Sequence, residues 1–197
     1  MCPVPAFGPA LPLALVAAFA LPLAACNPGP SVSATNASQA EVSQKVAAAT
    51  AANGGADRMV EPGRWEGAMT IHEMDIPGMP EQVKAQMKQQ MGGAKSFVSC
   101  VTEEDVKAQK AFHTGDDKNC KYDHFTLSGG HIDAAMSCAT PEGGKMAMTM
   151  TGNYSPESYH LDMASKAEGK GPMGAMAMKM SVEAKRVGAC RGTKDEH

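Results

Sequence analysis

Two runs of thioethers are the residues best placed to do chemistry: Met146-Ala147-Met148-Thr149-Met150 and Met176-Ala177-Met178-Lys179-Met180. Both read Met-x-Met-x-Met, and thioether sulfur is a soft donor that suits Cu(I). On a strand, successive side chains of one face are about 6.6 Å apart. A site of three sulfurs therefore needs two neighbouring methionine strands rather than one. The same alternation is also how a strand presents an apolar face to a core, and methionine fills irregular cores well.

The six cysteines divide by position. Cys2 lies in an apolar leader and Cys26 immediately follows it, while Cys100, Cys120, Cys138 and Cys190 lie in the body of the chain. An even set in an exported chain implies two disulfides. Residues Lys121 to Leu127 and His131 to Cys138 read as strands around Ser128-Gly129-Gly130, a hairpin signal. Centring that turn on Gly129 puts Cys120 opposite Cys138, within disulfide reach. Cys100 then pairs with Cys190. No Cys-x₂–₄-Cys pair occurs, which argues against a four-cysteine zinc site.

Other chemistry is sparse. The sequence holds no Gly-x-Ser-x-Gly elbow, no Walker loop and no Gly-x-Gly-x-x-Gly. His72-Glu73 opens like a zinc-protease motif, but Ile76 stands where the second histidine would be. The other histidines, His113, His124, His131, His160 and His197, form no close pair. Asp123 and His124 are neighbours, which on a regular strand points them to opposite faces. A net charge of −3 and a pI near 6.1, with no basic stripe or interleaved aromatics, speak against nucleic-acid binding. A non-catalytic protein without a resident cofactor is the expectation.

The elements that must position the methionines follow from period-2 alternation. Trp65, Gly67, Met69 and Ile71 share one face of a strand, with Glu66, Thr70 and His72 on the other. Met146, Met148 and Met150 oppose Lys145, Thr149 and Thr151. Tyr159, Leu161 and Met163 oppose His160 and Asp162, and Met176, Met178, Met180 and Val182 oppose Lys179, Ser181 and Glu183. One apolar face per strand is the pattern of an antiparallel sheet with one solvated side. Two short helices interrupt it. Pro80 to Met91 spaces Val83, Met87 and Met91 by four before Gly92-Gly93, and Glu103 to Lys110 follows a plausible N-cap at Thr102. The expected fold is mainly β: a curved antiparallel meander with two short helices, stapled by two disulfides.

The first forty residues contain no Asp, Glu, Lys or Arg. Residues 1–25 form an apolar run ending Leu23-Ala24-Ala25, a secretory signal peptide, and Leu23-Ala24-Ala25-Cys26 resembles a bacterial lipobox. Pro5, Pro9, Pro12 and Pro22 suit a membrane-spanning helix poorly. Lipidation at Cys26 (palmitate among its acyl chains) anchors the chain to a membrane. Asn27, in place of Asp, favours the outer membrane, facing the periplasm. Residues 26–58 are Ala, Ser, Asn, Thr and Gly with few large apolar side chains, and so are expected to be a flexible tether. The folded domain is expected over 59–191, with a loose charged tail at 192–197.

From Cys26 on there are 15 Met against 10 Val, 3 Ile and 2 Leu, so methionine must supply the core. The ordered motifs then resemble a known family. Pro62-Gly63-Arg64-Trp65-Glu66, Ile76-Pro77-Gly78-Met79-Pro80, Cys100-Val101-Thr102-Glu103-Glu104, the lone Cys120, Met136-Ser137-Cys138 and Arg186-Val187-Gly188-Ala189-Cys190 are similar, in that order, to the domain of unknown function 3617 family. The resemblance covers about Glu61 to Arg191. It implies export and a compact methionine-rich domain, and it carries no catalytic residues. The sequence thus points to an outer-membrane-anchored periplasmic lipoprotein that binds an apolar small ligand, or scaffolds an envelope protein, through its methionine-lined sheet. The alternative is a Cu(I)-binding protein or chaperone using Met146, Met148, Met150, Met176, Met178 and Met180.

Overall fold

The computed structural model describes residues 30–52, 58–107, 118–140, 143–169, 175–194 and 196. The chain folds as β1 (Val32–Ser38), α1 (Gln39–Ala52), β2 (Gly63–Asp75), α2 (Glu81–Met91), β3 (Gly93–Val101), α3 (Glu103–Lys107), β4 (Cys120–Ser128), β5 (His131–Ala139), β6 (Lys145–Ser155), β7 (Ser158–Glu168) and β8 (Ala175–Gly188). The eight strands form one antiparallel open sheet in the order β1-β4-β5-β6-β7-β8-β2-β3. Strands β4 to β8 are a meander, as expected. The β2–β3 hairpin extends it beyond β8, and β1 extends it beyond β4.

The expected tether is a correction. Within the stretch 26–58, Val32–Ser38 and Gln39–Ala52 build β1 and α1 rather than a loose linker. Val32, Ala34 and Ala37 are buried on β1, and Val42 and Val46 on α1. They join Leu127, Phe125, Ile132 and Met136 in the main core. Small side chains suffice here because the bulk comes from β4 and β5, against which β1 and α1 lie. Ser38 and Glu41 start α1 with a reciprocal cap: the Glu41 amide donates to Ser38 Oγ (3.2 Å) and the Ser38 amide to Glu41 Oε2 (2.7 Å). That amide hydrogen bond holds the Glu41 carboxyl below its ordinary pKa.

Both sequence-read helices are present. Thr102 caps α3 as expected, its Oγ accepting from the Asp105 amide (3.1 Å) while Asp105 Oδ2 accepts from the Thr102 amide (3.0 Å). The helix spans Glu103–Lys107, and residues 108–110 of the expected element lie outside the described ones. The tail at 192–197 is a second correction. Glu196 Oε1 meets Arg64 Nη1 at 3.0 Å, and its carboxylate accepts from the amides of Arg191 and Gly192. Buried Arg64, the second residue of β2, draws Glu196 onto the sheet.

Both disulfides are in place, with Cα–Cα distances of 5.5 Å for Cys100–Cys190 and 4.0 Å for Cys120–Cys138. The hairpin reaches the second by a different route from a turn centred on Gly129. Its turn is the two-residue Gly129-Gly130, both at positive φ (59° and 77°), so Ser128 pairs with His131 and Thr126 with Asp133. A bulge between Tyr122 and His124 then shifts the register by one and restores Cys120 opposite Cys138.

Candidate functional site

Cross-strand partners in an antiparallel sheet share a face, so the register assigns every methionine of the described strands. Met136 pairs with Met148, Cys138 with Met146 and Ala134 with Met150 across β5 and β6. Met150 pairs with Met163 across β6 and β7, and Met163 with Met180 across β7 and β8. Met178 faces Met74, Met180 faces Ile71, and Val182 faces Met69 across β8 and β2. Ten methionines thereby occupy one face: Met69, Met74, Met136, Met146, Met148, Met150, Met163, Met176, Met178 and Met180.

That face is unevenly covered. At one side α1 packs against β1 and β4, and Met136 is buried there while Met146, Met148 and Met150 pack on the core from its edge. At another corner Val60, Trp65 and Ala184 form a second cluster with Phe97, Val101 and Val106 of α3. Trp65 stacks on Tyr159 at 5.6 Å, and its Nε1 donates to the Glu61 carbonyl. Burial pushes the phenols of Tyr122, inside the main core, and Tyr159, packed against both clusters, above their ordinary pKa. Between the clusters Met163, Met176, Met178 and Met180 remain half-buried.

A cleft of about 170 Å³ opens there, walled by Met136, Met148, Met150, Met163, Met178 and Met180. Beside it, a groove of about 810 Å³ runs between the end of β2 and α2, lined by Ile71, Met74, Ile76, Met79 and Met87. The pairs Met178–Met74 and Met180–Ile71 join the cleft to the groove. Charges pair at the groove's edge: Lys84 reaches Glu81 (3.2 Å) and Asp75 (3.8 Å), and Lys179 reaches Glu73 (2.8 Å).

The sheet's other face is polar. There the bulge corrects a second expectation: Asp123 and His124 both point outward, not to opposite sides. Asp123 accepts from Ser137 Oγ, and His124 Nε2 contacts Asp133 Oδ1. His72 bonds to Ser181, and His160 sits 3.5 Å from Asp162 and 3.9 Å from Glu183 through different ring nitrogens. Lys166 and Glu168 pair at 2.7 Å, which raises the lysine's pKa and lowers the carboxylate's. His72, His124 and His160 thus sit in separate exposed pairs. Cys26, His113 and His197 lie outside the described residues.

Fold and site together define a disulfide-stapled antiparallel sheet with one methionine face, half covered and half open. A family model described as a protein of unknown function, DUF3617, matches residues 60–190. The chain belongs to that family, and the match begins after β1 and α1. No curated protein and no solved structure matches the chain. Among the described residues, no helix is long and apolar enough to cross a membrane.

Proposed function

We propose that this chain is a non-catalytic periplasmic lipoprotein, anchored to the outer membrane through Cys26, that holds an apolar ligand on its methionine face. The observation that carries the binding role is the continuous apolar surface from the Met136–Met180 cleft into the groove under α2. The groove's volume lies within the range of small-molecule sites, and flexible thioethers adapt to ligands of loose shape. Glu73 pairs with Lys179, and Asp75 and Glu81 with Lys84, so the groove's edge offers little unpaired charge to hold a charged headgroup. The expected ligand is therefore an uncharged acyl chain or lipid. Native mass spectrometry of protein purified from its own envelope tests this. An adduct of lipid mass, lost when Met178→Gln and Met74→Gln are combined, supports it; a clean apo mass sinks ligand binding and leaves scaffolding.

A second reading has its own observation. Met150, Met163 and Met180 lie directly opposite one another on three adjacent strands. Cβ atoms of such neighbours are about 4.5–5.5 Å apart, which lets three thioether sulfurs converge on one Cu(I). Titration against a colorimetric Cu(I) chelator distinguishes the two. Sub-micromolar binding that disappears in Met163→Leu and Met180→Leu would favour the metal; no competition with the chelator would dismiss it.

A further inference from the structure

The ordered start of the sheet changes what an anchor at Cys26 does. Only Asn27, Pro28 and Gly29 separate Cys26 from Pro30, whose side chain is fully buried. Four peptide steps reach at most about 14 Å. A lipid on Cys26 would therefore hold the fold close to the headgroups instead of letting it range on a long linker.

The register says which end is held. Val32 pairs with Leu127, so Pro30 lies level with the 129–130 turn. Ser155 and Ser158 close the β6–β7 turn at that same end, and the Tyr154 amide donates to the Gly130 carbonyl. The Arg186 amide donates to the Glu157 carbonyl, and the Glu61 amide to the Pro156 carbonyl, binding these turns into one rim. Along β7, Met163 stands five residues from Ser158 and Ser165, the partner of Met178, stands seven. At 3.3 Å per residue these are about 17 and 23 Å from the rim.

We infer that the membrane surface is this protein's docking partner at the Pro30 rim, and that the methionine cleft is thereby held above the leaflet, open to the aqueous side. The inference rests on the lipoprotein reading. Its consequence is that ligand enters the cleft from the periplasm and not sideways out of the bilayer.

The test uses the full-length lipidated protein in vesicles of phosphatidylethanolamine and phosphatidylglycerol that carry a headgroup quencher. A fluorophore is attached through Glu157→Cys at the rim or through Lys145→Cys at the opposite end. Quenching several-fold stronger at position 157 is expected, and a flexible Gly/Ser insertion between Gly29 and Pro30 should erase the difference. Equal quenching, or stronger quenching at position 145, would overturn the orientation. Intact mass of the same sample separates the two claims: an unmodified Cys26 overturns the lipoprotein reading and the seating with it. Lipid on Cys26 with equal quenching overturns the seating alone.

Discussion

Met136 and Met178 share a face of the sheet but not an environment: the first is buried in the main core, the second is half-buried at the cleft. Met136 Sδ accepts from the buried Gln39 Nε2 at 3.3 Å, so the core here already includes a polar contact. In Met136→Gln the new carbonyl can replace that acceptor, but the amide N–H groups enter the core without water. A cost of about 1–3 kcal/mol is expected. In Met178→Gln the amide reaches solvent, and the change should stay within about 0.5 kcal/mol. Thermal melts of the two apo variants check this; equal losses would mean that the cleft is core. Glu196 supplies a second test at this scale. Amide hydrogen bonds from Arg191 and Gly192, with Arg64 beside it, hold its carboxyl below the ordinary range. A depressed folded-state pKa stabilises the fold above the unfolded value and loses that contribution as pH falls through the folded one. Acid titration of stability below the ordinary glutamate pKa should therefore be shallower in Glu196→Gln than in the wild type. Superimposable acid limbs would show that the tail contact contributes nothing.

The elements with the least apolar mass turn out to close the core. Removing residues up to Arg58 would uncover Leu127 and Phe125 and leave β4 as an open edge. The burial that Val32, Val42 and Val46 contribute goes with them. At about 1.5 kcal/mol or more for each valine, the loss is on the order of 5 kcal/mol. A fragment beginning at Arg58, which still contains the whole family match, should bind a hydrophobic dye and aggregate; a cooperative melt near that of the longer chain would refute the structural role of β1 and α1. The sequence did contain their signals. Ser38-Gln39-Ala40-Glu41 is a capping box, and Val42 and Val46 are spaced by four. They were hard to read because alanine and serine carry little hydrophobic signal, and the bulk they pack on lies some ninety residues further along. The meander, by contrast, was legible, since each strand announces its own face by alternation and pairs with its neighbour in sequence. The bulge at Asp123 left a fainter trace: Tyr122 and Phe125 are three apart, so Asp123 and His124 interrupt a period of two by a single residue. As for the site, the methionine face was legible from period 2. Its division into covered and open parts depends on where α1 and α3 dock, which is a long-range property.

At the scale of the whole molecule, two staples act on different problems. Cys120–Cys138 joins residues already paired across a hairpin, at a sequence separation of 18. Cys100–Cys190 closes a separation of 90 and ties the edge strand β3, across β2, to the chain just beyond β8. In the chain-entropy account the two loops are worth about 3 and about 4.5 kcal/mol. The longer staple has a structural consequence too, because Arg64 lies between Cys100 and Gly188 in the register and receives the Glu196 contact. Releasing Cys190 frees the tail and the outer edge of the sheet together, whereas the β4–β5 hairpin keeps its ladder and its Gly129-Gly130 turn without a disulfide. For a chain of this size the difference between the loops corresponds to about 3–6 °C in melting temperature. The paired variant Cys100→Ala/Cys190→Ala should therefore melt lower than Cys120→Ala/Cys138→Ala by about that margin. Hydrogen exchange should show faster opening of β3 in the first and little change in β5 in the second. If the hairpin variant is the less stable, the buried sulfurs of Cys120 and Cys138 matter through packing beside Met146, and loop closure is not what the staples are for.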